Sequence, residues 1–514
     1  MNPPSGFVHD FLKRLQDQSH APRRWQNADL PALDTRNASH LDLVVSHSTP
    51  QTFHIGTGAS IFTDILVPAI ATAKHEIILV TCFWAPSKTL DAIHDALTKL
   101  ASHRRDLLRD GHHLSPLSVR ICFSSRSLFQ KLFHPQYRDG YVYPAATWKP
   151  KLGLPDAELL QAGAIDLRVK SLFFLPFSVM HPKFVIVDRE RAFIPSCNVS
   201  WESWLEGCVQ VTGAAVVSLV RFYALTWDRD LDTERVLSTH IAETPAFDAQ
   251  AASLHHVSSP AHRRVALPSA TSPTPTLILP SSHHWNPQFH PFPWQKAPDA
   301  PVTPLNIALL ELFDRAQRSI YVQTPNLTCR PVIDALLDAL QRGVDVAIVT
   351  NRSMMLLEQL VTAGTTTSFC LRSLVRRYRR LTGSRHGRIS GGRGRGGDAA
   401  SRDVEAANTN PGQLSILSFR SRLGAKPDEH EEQPLMAGAD RGEEPVHSHL
   451  KLTVIDDEFT VLGSGNMDRA SWWTSQELGI LFHDKELASA VRSGVEGVMD
   501  GRFDVVFDAR SDRD

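Results

Sequence analysis

Two copies of one short pattern constrain this chain more than any other feature. His181-Pro-Lys183-Phe-Val-Ile-Val-Asp188 and His449-Leu-Lys451-Leu-Thr-Val-Ile-Asp456 both read His-x-Lys-x4-Asp. A matching tail follows each, Pro195-Ser196-Cys-Asn198 in one and Gly463-Ser464-Gly-Asn466 in the other. Ser and Asn therefore stand 15 and 17 positions beyond the His in both copies. A single His-x-Lys carries no weight. Two extended copies with one tail at one offset call for a duplicated fold. The duplication reaches further: a helix end, strand and loop over 71–84 recur over 314–325. A helix follows each (Leu90 to Leu100, Pro331 to Arg342), then a strand (Ser118 to Phe123, Val344 to Thr350).

Each motif is an apolar run that alternates like a buried strand, which puts His and Lys, two residues apart, on one face. Asp188 and Asp456, seven residues past the His, fall on the other face and read as structural, pairing a cation or capping a turn. Ser and Asn, also two apart, share a face on the next short strand. Each repeat thus offers a His, a Lys, an Asn and a hydroxyl to one small volume. Cations and amide donors gathered there suit an anion with several oxygens, phosphate above all. One imidazole can attack phosphorus while the other protonates the leaving oxygen, then activates the acceptor. A nucleophilic His needs an acceptor on its second ring nitrogen. Glu206 and Glu477 are the candidates, each just before an apolar run. Glu206 lies eight residues past its Asn and Glu477 lies 11, which makes Glu206 the weaker assignment.

On these motifs the chain resembles a two-repeat member of the phospholipase D superfamily, marked by the duplicated His-x-Lys-x4-Asp and a Gly-Ser-x-Asn tail. The resemblance implies an α/β fold: two similar phospholipase D-like α/β/α layered domains in one chain, with pseudo-two-fold symmetry and a shared active site. It implies phosphodiester chemistry through a phosphohistidine, with no cofactor and no metal. His181 would attack, His449 would act as general acid, and Lys183, Lys451, Asn198 and Asn466 would hold the phosphate. Ser196 and Ser464 would add hydrogen bonds, with Asp188, Asp456, Glu206 and Glu477 in support. The first tail departs from the pattern, with Pro195 where glycine is typical and Cys197 beside Ser196.

The expected substrate is a phospholipid, hydrolysed or transphosphatidylated as in cardiolipin-synthase-like members. The alternative is a nuclease or DNA-adduct phosphodiesterase. A formal net charge of −1 gives no global basic field for nucleic acid. A third reading, an inactive membrane or protein scaffold, has the intact His and Lys of both motifs against it. From Arg372 to Arg395 there are nine Arg and no acid. That segment suits an anionic membrane surface or nucleic acid; the plain alternative is a solvated helix and tail.

No signal peptide and no apolar run of about 18 residues is visible. The expectation is an intracellular protein, cytoplasmic or peripheral to a membrane. The six cysteines show no zinc or disulfide spacing and read as reduced core residues. Oligomeric state is not legible. Boundaries are set at 1–40 for an N-terminal extension, 41–240 for the first repeat, 241–300 for a Pro/Ser/His-rich connection and 301–510 for the second repeat. A low-complexity insertion (383–412, expected disordered) and a loop (421–446) interrupt the last. In the extension, Gly6 to Gln18 reads as an amphipathic helix packed through Phe7, Phe11, Leu12 and Leu15. His255, His256, His283, His284 and His290 in the connection are too irregularly spaced for a metal site. His447 competes with His449 for the site but lacks the Lys and Asp spacing.

Overall fold

The structure is a computed structural model that describes residues 6–18, 33, 37–135, 138–174, 178–234, 259–268, 272–281, 300–389, 410–422 and 444–511. Both halves contain the same seven-strand order. In the first it runs Ile165–Ser171, Leu117–Ser125, Glu76–Phe83, Phe184–Val187, Arg191–Pro195, Trp204–Thr212, Val45–Thr57. In the second it runs Leu414–Phe419, Asp345–Thr350, Ser319–Gln323, Leu452–Ile455, Phe459–Gly463, Leu478–His483, Thr274–Pro280. The first three strands of each order are parallel and the rest are antiparallel. The strand Phe503–Asp508 adds to the outer edge of the second half.

The parallel strands read as continuous apolar runs because both of their faces are covered. Ile77 and Leu79 pack with Leu90, Ile93 and Leu97 of the helix Lys88–Arg109 in one core. Ile78 and Val80 point into a second core with Leu219, Phe222 and Tyr223 of the helix Ala214–Trp227. That second core also holds Val322, Val346, Ile348 and Ile480 of the other half, so it is the shared centre of the molecule. The layered α/β architecture and its internal symmetry thus follow from alternation of apolar residues on duplicated strands.

Several sequence readings need correction. The strand Thr274–Pro280 lies inside the segment read as a connection, yet it pairs with Leu478–His483, so a boundary at 301 omits one strand of the second sheet. Its end also pairs with Val45–Ser48 and ties the halves together. Proline and serine content marked it as a linker, whereas Leu277, Ile278 and Leu279 are buried. The insertion expected from 383 opens as helix, because Thr367–Ile389 is one continuous element. The glycine–arginine run (391–397), most of the loop 421–446 and the five connection histidines lie outside the described residues. The helix Gly6–Gln18 forms as read: Phe7, Phe11 and Leu15 are buried and the Phe7 ring packs tilted against Phe459.

Candidate active site

His181 and Lys183 do not sit within a strand. The strand begins at Phe184, and in the second copy at Leu452. Pro182, which has no N–H to give a ladder, fits that position. The segment before each strand is held by the opposite half. His181 N donates to Gln476 O at 2.9 Å, and His449 N donates to Leu205 O at 2.8 Å. Each lysine then folds back, Lys183 Nζ to His181 O at 2.9 Å and Lys451 Nζ to His449 O at 2.7 Å. Both lysines are buried.

The two glutamates cross over. His181 Nδ1 bonds Glu477 Oε2 at 2.7 Å, and His449 Nδ1 bonds Glu206 Oε1 at 2.8 Å. Each repeat therefore orients the histidine of the other. With Nδ1–H donated to a carboxylate, Nε2 of either imidazole keeps its lone pair for chemistry. The unequal spacing that made Glu206 look weaker is taken up by a π-helical turn, Ala470–Thr474, which buries Trp472 and Trp473. Beyond that turn the two glutamates are equivalent.

Ser196 and Ser464 are not placed to bind phosphate. Each hydroxyl donates to the glutamate of its own repeat, Ser196 to Glu206 and Ser464 to Glu477. Each Oγ also accepts a backbone N–H, from Gly207 at 2.9 Å and Leu478 at 3.0 Å. The serines fix the carboxylates that fix the histidines. Asn466 Nδ2 donates to Asp468 at 3.0 Å, and Asn198 Oδ1 accepts from Phe83 N at 3.3 Å. Both asparagines stay partly exposed at the centre.

Asp188 and Asp456 are structural, as their position on the motif suggested, and they cap turns rather than pair cations. Both occupy the left-handed region (φ 53° and 55°) at the first centre of a hairpin turn, where Asp is tolerated. Asp188 accepts the N–H groups of Lys74, His75 and Glu76; Asp456 accepts those of Gln317, Arg318 and Ser319. Each carboxylate thus pins the start of the neighbouring parallel strand to the motif hairpin.

Sequence reasoning missed several supports. Ser124 Oγ accepts Met180 N at 2.9 Å; its counterpart Asn351 makes two bonds to the backbone of Ser448, at 2.8 and 3.0 Å. Trp204 lies on the His449 ring with centroids 4.8 Å apart. Gln323 and the 324–326 loop bond the second motif and tail rather than facing a ligand. No sequence signal separates these from ordinary strand-end polar residues.

Burial sets the electrostatics. It lowers the His181 pKa, with Glu477 opposing the fall, and takes His449 well below its ordinary value, helped by Lys451 and Lys183. Burial lifts the Glu206 carboxyl to about 7 and lowers the Lys451 ammonium to about 7. His447, buried, is lowered to about 4 and bears no charge near neutrality. Two neutral imidazoles beside two lysines suit an anionic phosphoryl group. Among the described residues no cluster of His, Cys, Asp or Glu could hold a metal ion.

A duplicated α/β fold with paired His and Lys around one centre defines an enzyme that handles phosphate esters. Residues 309–498 match the family model described as cardiolipin synthase, PLD-like domain. The match covers the second half, and the first half repeats its His-x-Lys-x4-Asp motif and tail outside the matched residues. Among solved structures it is similar to phosphatidylserine synthase of Haemophilus influenzae Rd KW20, at 14% identity, 92% of this chain, 91% of that chain and a TM-score of 0.47. It is also similar to the phospholipase D family member Nuc from Salmonella typhimurium, at 14% identity, 45% of this chain, 96% of that chain and a TM-score of 0.23. No curated protein sequence matches the chain significantly. No helix among the described residues is long and apolar enough to cross a membrane.

Proposed function

We propose that the protein cleaves or exchanges the phosphodiester of a phospholipid through a phosphohistidine. The observation that carries this reading is the crossed pairing, which gives two imidazoles the same tautomer with both Nε2 atoms free around one cationic pocket. In the first step Nε2 of His181 attacks phosphorus, and the P–O bond to the leaving alcohol breaks. His449, which takes up a proton at Nε2 when the anionic diester binds, hands it to that oxygen. In the second step His449 takes a proton from water or an acceptor alcohol, whose oxygen displaces His181 from phosphorus. Lys183, Lys451, Asn198 and Asn466 stabilise the charge that builds on the equatorial oxygens.

His181 is the more open of the two rings, with its side chain 16% exposed against 5% for His449. That favours it as the group met by an incoming phosphorus. One observation favours the reverse roles: His449 gives up its proton more readily, since only Glu477 opposes the fall on the other side. A bound phosphodiester, being anionic, restores proton affinity to the buried ring beside it. The test is rapid quench with a radiolabelled phospholipid, followed by mapping of the phosphopeptide under alkaline conditions. Label on His181 supports the assignment, label on His449 reverses it, and no labelled histidine overturns the covalent mechanism.

A phospholipid is favoured over nucleic acid by the near-neutral net charge. The matching of the second half to a cardiolipin synthase-type domain model supports it as well. Turnover of mixed phospholipid vesicles with a primary alcohol, beside His181→Ala, tests substrate class. Cleavage of oligonucleotides alone would move the enzyme to the nucleases.

A further inference from the structure

The two halves carry an exposed apolar segment at the same place in the fold. Phe129, Leu132 and Phe133 follow the strand Leu117–Ser125; Leu357, Leu360 and Val361 follow its counterpart Asp345–Thr350. Phe133 and Phe129 are 82% and 75% exposed, and Leu357 is 62% exposed. No described residue covers them. Single exposed apolar residues need no explanation, but two matched clusters on one end of a molecule do.

Both clusters border the active site. Ser124 and Asn351, which hold the two motif segments, precede them by only a few residues. The clusters also approach each other across the pseudo-two-fold axis. Glu358 and Lys131, one from each segment, act on each other electrostatically, and Asp468 of the site acts on Glu358 as well. The thiol of Cys82, at the end of Glu76–Phe83, is raised by burial, and Lys183, Lys131, Glu477 and Glu358 all act on it. Lys131 and Glu358 of the two segments thus both act on Cys82, beside the catalytic Lys183 and Glu477.

The next helix completes the picture. Thr367–Ile389 contains seven arginines and no acid. Phe369, Arg372, Arg376 and Arg380 lie three or four residues apart and share its exposed face, while Leu371, Leu374 and Tyr378 are buried. An apolar tip that passes into a row of guanidinium groups is the composition of a surface that enters the headgroup region of an anionic bilayer.

We infer that the rim formed by 128–133, 355–361 and the exposed face of Thr367–Ile389 docks the enzyme on an anionic phospholipid surface, with the shared active site facing that surface. This rests on the phospholipid reading of the substrate. The apolar residues enter the headgroup layer and the arginines hold anionic headgroups, so a lipid reaches the two histidines without leaving the bilayer fully.

The test is flotation of the full-length protein with vesicles of phosphatidylcholine alone or mixed with phosphatidylglycerol. Wild type is compared with Phe133→Ser/Leu357→Ser, Arg372→Gln/Arg376→Gln and His181→Ala. Turnover is followed on vesicles and on a short-chain phospholipid below its micellar concentration. Wild type should bind the mixed vesicles more tightly, and salt should weaken that binding. The apolar double variant should lose at least tenfold in vesicle affinity and vesicle turnover, yet keep turnover of the monomeric lipid within about twofold. The arginine variant should lose only the preference for anionic vesicles. His181→Ala should bind like wild type and turn over nothing. Wild type that floats with neither vesicle, or an apolar variant that floats like wild type, overturns the docking surface. Rim-dependent binding with no turnover of either lipid form leaves the docking surface standing and removes the substrate reading.

Discussion

The two halves of the active site share a backbone plan but pack their tails differently. In the second half, Gly465 and Gly479 clear a space that Leu305 fills. A Cβ on Gly465 would lie 2.8 Å from Leu305 Cδ2, and one on Gly479 would lie 2.7 Å from Cδ1. Gly463 also needs its φ of 146°, and a Cβ there would meet Leu478 O at 2.2 Å. In the first half Pro195, Cys197 and Cys208 replace the glycines, and Gly58 faces Cys197 from the helix Gly58–Ile61. Bulk has moved from the helix to the sheet, while Ser196 and Asn198 hold their posts. The departure of the first tail from the family pattern is therefore a packing exchange and not a loss of the site.

The halves differ electrically as well. His447 stands two residues before His449, where the first half has Val179. The second half is the more buried and the more hostile to positive charge, with both His449 and Lys451 lowered. One scaffold, duplicated, thus supplies two histidines with unequal affinity for protons, which a two-step acid–base reaction requires.

The sharpest way to break this comparison is to remove each histidine in turn. His181→Ala and His449→Ala should each cut phospholipid turnover by about 10³-fold or more. With a nitrophenyl phosphodiester, whose leaving group needs no proton, His449→Ala should recover most of its first-step rate and His181→Ala should not. The opposite pattern would exchange the roles. The crossing itself is tested next. Glu477→Gln should track His181→Ala and Glu206→Gln should track His449→Ala on the two substrates, each at a loss of about 10- to 100-fold. If each glutamate instead tracks the histidine of its own repeat, the crossed arrangement is wrong.

The pH dependence discriminates more finely. Lys451 sits near 7 because burial lowers it, with Glu206 as the main opposing influence. As pH rises past about 7 it loses its charge, so KM for an anionic diester should rise. Glu206→Gln removes the opposing charge and should start that rise at lower pH; Glu477→Gln should move it less. A KM profile that is flat from pH 6 to 9 would remove Lys451 from phosphate binding. In stability terms, the lowered lysine costs stability as pH falls from its ordinary 10.5 towards about 7, and the raised Glu206 costs stability as pH rises from its ordinary 4.5 towards about 7, so both penalties are fullest near neutrality.

Asp188→Ala and Asp456→Ala should each destabilise the fold by about 2–3 kcal/mol, since three backbone donors lose their acceptor and alanine is strained at positive φ. Thermal melts should show nearly equal losses, and both should exceed that of Asn466→Ala. A large inequality would mean that the halves do not share this device. The smallest effect expected is none: dialysis against EDTA should leave turnover unchanged, and its loss would reveal a metal that no proposed step uses.

Much of the fold was readable residue by residue. The strands around 118–123, 165–169, 344–350 and 414–419 and the helices after Ser87 and Cys329 follow apolar periodicity and Pro, Ser and Thr signals at helix starts. Thr274–Pro280 escaped because two prolines and two threonines look like linker, and only its partner strand makes it a strand. Trp204 escaped because its spacing does not distinguish a site ring from a core ring.

The chain by itself singled out the residues proposed to carry the chemistry. His, Lys and Asn recur at fixed offsets, and their types suit phosphate whatever the fold around them. It also determined that Asp188 and Asp456 stand apart from that chemistry. Only the tertiary structure decided which carboxylate serves which histidine. Glu206 and Glu477 are 243 and 296 residues from their partners, and offsets within a repeat point each to its own motif. The shared core places each motif segment against the start of the glutamate-bearing stretch of the other repeat, and backbone bonds from His181 to Gln476 and from His449 to Leu205 fix that register. Pairing across an interface is a property of packed surfaces, and no local pattern in a single chain encodes it.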